Sequence, residues 1–115
     1  MDVSSLTILE EQILREFCRQ HPELMREPSA YDHIQVGERS YSGAGFLSEL
    51  LAGPSLETNK PVERFVWTGP AATLNGKTEV GCLVFVEQNR VSAIEGFTFG
   101  ESWPEKITRV EFHIE

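Results

Sequence analysis

Residues 80–103, VGCLVFVEQNRVSAIEGFTFGESW, constrain the fold more than any other stretch of the chain. Positions 80–86 are apolar apart from Gly81, and β-branched and aromatic side chains dominate. That composition suits a strand buried on both faces better than a helix. Gln88-Asn89 interrupts the run, and asparagine tolerates the positive φ of a tight hairpin turn. Residues 80–87 and 90–99 are therefore expected to form a hairpin. A loop of two or four residues sets Val86 opposite Val91, Val84 opposite Ala93, Cys82 opposite Glu95 and Val80 opposite Phe97, all on one face. The other face then carries Phe85 with Ser92, Leu83 with Ile94 and Gly81 with Gly96. A three-residue loop with a bulge shifts the pairing by one and changes these partners.

The first register has two consequences. Glu95 becomes mostly buried among Val80, Cys82, Ala93 and Phe97, where an ionised carboxylate needs a cation or several hydrogen-bond donors. The paired glycines leave a shallow slot on the opposite face, to be filled by a neighbouring ring or by a ligand.

The remaining chain reads as cover for this hairpin. Thr7 followed three residues later by Glu10 matches a capping box, and Leu6, Leu9, Ile13 and Phe17 recur at spacings of three and four, with Leu14 widening the stripe. Pro22 ends that helix near Gln20, and residues 21–25 fit one further turn before Pro28. From Tyr31 the period becomes two, with Ile34 and Val36 on one side and His33 and Gln35 on the other, and this strand is expected to reach Tyr41. Ser42-Gly43-Ala44-Gly45 reads as a hairpin turn or bulge leading into residues 46–51. It lacks the Lys and Ser/Thr of a phosphate-binding loop. Residues 53–61 are polar and rich in breakers, the longest and most mobile loop expected. Phe65-Val66-Trp67 restarts strand character, Gly69-Pro70 breaks it, and Asn75-Gly76 signals a second hairpin. Gly100 turns the chain, Trp103-Pro104 forbids a regular helix, and residues 109–115 alternate as a half-exposed last strand. One helix and about five to seven strands joined by short connections make an α+β fold. The helix is expected to pack on a curved, mainly antiparallel sheet or partial barrel, in a single domain spanning residues 1–115.

Charge narrows the choice of partners. Eighteen acidic against ten basic residues give a net charge of −8, which argues against nucleic-acid backbone binding and permits a basic partner. Cys18 and Cys82 have no CxxC and no short Cys/His spacing, and both read as buried thiols. His21, His33 and His113 are scattered, so neither a metal nor a cofactor is expected. With no secretory signal and no apolar run long enough to span a membrane, the expected location is the cytoplasm. A monomer is preferred, and the terminal strand offers an edge for a homodimer as the alternative.

Arg39-Ser40-Tyr41-Ser42-Gly43-Ala44-Gly45-Phe46, together with residues 81–86, 90–92 and 94–101 and Trp103-Pro104-Glu105, resembles a group of small uncharacterised bacterial proteins. The second block is the specific one, and the matches cover about half of the chain. The resemblance implies a compact bacterial α+β domain and attaches no activity to it. It favours Arg39 over Arg64 as the cation for Glu95, because Arg39 belongs to the other block.

Glu95 and Glu101 are the candidates for an acid/base pair, and Trp103, flanked by Glu101 and Glu105, is the candidate aromatic anchor at a protein interface. Arg39 and Tyr41 complete the candidate binding residues. Two functions follow. One is a non-enzymatic protein-binding module, such as an immunity-type inhibitor of a basic partner. The other is a small-ligand-binding protein or enzyme with a site centred on Glu95.

Overall fold

The computed structural model describes residues 4–28, 31–51, 53–57 and 62–114. Along the chain it contains β1 (Ser4–Ser5), α1 (Ile8–Gln20), β2 (Gln35–Tyr41), β3 (Gly45–Leu50), β4 (Arg64–Thr68), β5 (Ala72–Leu74), β6 (Thr78–Glu87), β7 (Arg90–Thr98) and β8 (Val110–Phe112). The sheet runs β1-β2-β3-β7-β6-β5-β8, and every pairing is antiparallel. β4 joins this path from the side. It pairs with the half of β6 that β5 leaves free, so the ten residues of β6 serve two partners placed end to end. The architecture is α+β, with one helix on a mainly antiparallel sheet.

Helix α1 starts where the sequence says it should. Thr7 accepts from the Glu10 backbone N–H at 3.1 Å, and the Glu10 carboxylate accepts from the Thr7 N–H at 2.8 Å, closing the capping box. The helix ends at Gln20 with His21 as C-cap, its N–H bonded to the Phe17 carbonyl at 2.9 Å. Leu9, Ile13, Leu14, Phe17 and Cys18 form its buried stripe. This stripe lies on the inner sheet face, where Val80, Cys82, Val84 and Val86 of β6, Ile94 of β7 and Trp67 of β4 are all buried. The Phe17 ring meets Trp67 edge-on at 5.3 Å between centroids. Both cysteines lie in this interior, and burial pushes each thiol up to about 11.

The turns obey local chemistry. Gln88 and Asn89 both have positive φ, which is the requirement of a two-residue hairpin turn whose twist matches its strands, and Asn75 and Gly76, also at positive φ, open the three-residue turn between the paired Leu74 and Thr78. Gly43, at φ 85°, turns β2 into β3. Ile34 and Val36 are buried with Gln35 exposed between them, as expected, although residues 31–34 form a bend and β2 begins only at Gln35. The first part of the long loop is tied down. The Val91 N–H donates to the Pro54 carbonyl at 3.0 Å and the Leu56 N–H to the Asn89 carbonyl at 2.7 Å. Residues 58–61 of that loop lie outside the described residues. The last strand is shorter than its alternation suggests: β8 stops at Phe112, and Ile114 is exposed.

The central hairpin departs from the first expected register. Its turn has two residues, so Glu87 pairs with Arg90 and Val86 with Val91, but a β-bulge follows at Ser92 and Phe85 then faces Ala93. An extra residue in one strand shifts every later pair by one. Cys82 therefore faces Gly96, Leu83 faces Glu95, and Gly81 faces Phe97. Ile94 takes the fully buried inner position, and Glu95 moves to the outer face. The glycines do not pair with each other, and each is covered by rings instead. A Cβ at Gly81 would fall 2.5 Å from Phe97 Cζ, and one at Gly96 would fall 2.6 Å from Phe46 Cε1.

The bulge makes a specific deletion informative. Removing Ser92 leaves a regular ladder with Phe85 still opposite Ala93, so the fold should survive. The cost is expected near 1 kcal/mol, about one hydrogen bond, since Ser92 Oγ donates to the Phe85 carbonyl at 3.2 Å. Urea unfolding measures it. Loss of cooperative unfolding in this variant would show that the pairing beyond the bulge differs from the one described.

Candidate functional site

Of the five candidate residues, Tyr41 and Trp103 line one groove on the inner face and Arg39 is bonded to Glu10, which also lines it, while Glu95 and Glu101 are not among its lining residues. The groove has a volume of about 650 Å³ and runs between the first turns of α1, the β2–β3 turn and the irregular segment 103–110.

Its floor contains a buried ion pair that sequence reasoning assigned to the wrong carboxylate. Arg39 does not meet Glu95. Its Nη2 donates to Glu10 Oε1 at 2.6 Å and its Nε to Glu10 Oε2 at 3.1 Å. Glu10 is fully buried, and Ser48 Oγ and the Thr7 N–H complete its shell, so each carboxylate oxygen is met by two donors. Arg39 and Ser48 face each other across β2 and β3, which places both under the first turn of the helix. The carboxylate hydrogen bonds also raise the Arg39 guanidinium above its ordinary value. Two signals pointed to Glu10. It stands at i−4 and i−7 from Leu14 and Phe17, on the apolar face of the helix, and Ser48 occupies an inward position between Phe46 and Leu50. A matched pair of this kind fixes the helix to the sheet and leaves no free carboxylate for chemistry.

One groove wall is an aromatic row. Trp103 meets Phe46 edge-on at 5.3 Å between centroids, and Phe46 meets Tyr41 at 6.5 Å. Tyr41 is 64 % exposed at the end of the row, and Ile8, on the helix side, is 75 % exposed. The segment that carries Trp103 is fixed in place. The Trp103 N–H donates to the Gly43 carbonyl at 2.7 Å, and the Asn75 side chain accepts from the Thr108 N–H and donates to the Lys106 carbonyl, both at 2.7 Å. Of the charged lining residues, Glu10 is matched by Arg39, Arg109 Nε is held by Glu111 at 3.0 Å, and Glu105 forms no ion pair among the described residues.

Glu95 sits on the other side of the sheet. Successive pairings align Ser40, Leu47, Glu95, Leu83 and Thr68 in one row, and Glu38, Glu49, Ala93, Phe85 and Val66 in the next. Glu95 is half-buried there, beside a depression of about 220 Å³ that Tyr41, Leu47 and Phe97 also line. Leu47 and Val66 are exposed, and Phe97 packs edge-on against Phe99, which is 61 % exposed. Glu38 faces Glu49 directly across β2 and β3, and among the described residues no ion pair reaches Glu38, Glu49 or Glu95. Arg64 and Arg90 flank Glu87 at the far end of the face, beyond Phe85.

Glu101 is exposed, and its backbone carbonyl, not its carboxylate, is engaged, by Thr98 Oγ1. No hydrogen bond among the described residues joins it to Glu95. His21 meets Phe65 and Trp67 edge-on, and His113 meets Glu79 at 3.2 Å on an exposed edge. No family model, no curated protein and no solved structure matches this chain.

Proposed function

We propose that this chain is a non-enzymatic bacterial protein-binding module whose outer sheet face receives a basic partner, in the manner of an immunity-type inhibitor. One arrangement carries the reading: Glu38 stands opposite Glu49, with Glu95 on the adjoining strand, beside the exposed Leu47 and Val66 and the half-buried Leu83 and Phe85. Like charges placed directly across a strand pair destabilise the free sheet by tenths of a kcal/mol, up to about 1 kcal/mol. A lysine or arginine from a partner relieves that repulsion, while the apolar rows supply area that loses water on contact. The net charge of −8 steers such a partner at long range.

The test is capture from a lysate of the source cell at low salt, followed by a moderate-salt wash, with wild type and a Glu38→Lys/Glu95→Lys variant side by side. A basic protein retained by the wild type, released by salt and held about tenfold less by the variant is the expected result. Equal retention by both proteins sinks the assignment to this face.

A further inference from the structure

We infer that the inner groove is a separate binding site for a small organic cation with an apolar body. It opens on the sheet face opposite Glu38, Glu49 and Glu95 and does not depend on the partner surface proposed there. Three observations lead to this ligand class.

The volume of about 650 Å³ falls in the range of clefts that hold small molecules, and the walls are formed in advance. The segment carrying Trp103 is bonded to the Gly43 carbonyl at one end and to the Asn75 side chain at the other. No ordering of that wall is needed before a ligand enters.

Tyr41 and the half-buried Trp103, joined through the buried Phe46, offer electron-rich ring faces, which attract ammonium and guanidinium groups. Buried deep in the protein, this row would be ordinary core. Here it ends in a tyrosine 64 % exposed, across from an isoleucine 75 % exposed in the first turn of α1.

Charge then selects the sign of the ligand. The Glu10 carboxylate has every oxygen occupied by Arg39, Ser48 and the Thr7 N–H. Arg109 is turned to Glu111, and one of its terminal nitrogens lies against Gly76. Glu105, two residues from Trp103, is the lining charge without an ionic partner among the described residues. A cation on the aromatic row therefore meets the carboxylate of Glu105, which has no ionic partner among the described residues, whereas the one cation lining the groove, Arg109, is paired with Glu111.

The probes are phenylbutylamine, phenylbutanol and phenylbutanoate, which share one apolar body and differ in charge, titrated into the intact protein at neutral pH. The Trp103 indole N–H resonance and calorimetry are the readouts. The amine is expected to bind about tenfold more tightly than the alcohol, the size of one well-placed cation contact, and the carboxylate more weakly than either. Glu105→Gln should bring the amine down to the alcohol, Tyr41→Ala should weaken both, and Glu95→Lys should change neither. Equal binding of all three probes, absence of binding by all three, an amine preference that survives Glu105→Gln, or resonance shifts confined to the outer face would each overturn the assignment.

Discussion

Replacing Arg39 with Ala should destabilise the protein by about 3–5 kcal/mol, because it strands a fully buried carboxylate without its cation. Ser48 and the Thr7 N–H remain as donors, but neither carries charge to balance Glu10. The larger part of the loss is the uncompensated carboxylate, not the attraction removed. A double variant tests that distinction. Glu10→Leu with Arg39→Leu removes both charges, and its loss should fall well short of the sum of the losses of Glu10→Leu and Arg39→Leu alone, since replacing a buried pair by apolar groups is often close to neutral. Urea unfolding of the wild type, both single variants and the double completes the cycle. Additive losses would mean that the two side chains do not act as a pair.

That pair also marks the boundary between what the sequence reveals and what it hides. The capping box of Thr7 and Glu10, the Asn75-Gly76 and Gln88-Asn89 turns and the alternation of residues 34–36 are local, and each follows from neighbours in the chain. The Ser92 bulge is not. Nothing about a serine between Val91 and Ala93 announces an extra residue, yet the strand period of two turns that one residue into a change of face for everything after it. This is why the sequence placed Glu95 inside, next to Arg39, and why the structure puts Ile94 there instead. Glu10 was hidden for a different reason. Its capping role accounts for it fully at the local level, and its second partner lies 29 residues away. The groove is less legible still. Phe46 faces Tyr41 through the β2–β3 register, but Trp103 reaches Phe46 only because an irregular segment without any periodicity is bonded to the Gly43 carbonyl of the β2–β3 turn.

Phe17→Ala is expected to cost about as much as the loss of Arg39, again some 3–5 kcal/mol, through lost burial and the cavity left behind. Phe17 is fully buried and touches both Trp67 and Phe65 of β4. It is the anchor of the C-terminal half of α1, just as Glu10 is the anchor of the first turn. Seven residues of helix separate the two, a rise of about 10 Å, so the losses should be nearly additive. Their sum reaches the full stability of many domains of this size, and the Phe17→Ala/Arg39→Ala variant should not fold. The single variants should differ in kind. Phe17→Ala loosens the helix over β4 and should shift Trp67 fluorescence to the red, leaving the groove at the opposite end of α1 in place. Arg39→Ala frees the first turn, which carries Ile8 and Glu10 into the groove wall, and should weaken phenylbutylamine binding in the fraction that remains folded. If Phe17→Ala unfolds within 1 kcal/mol of the wild type, the helix is not held by Trp67. If it abolishes amine binding while folded, the two ends of the helix are coupled and the anchors are not independent.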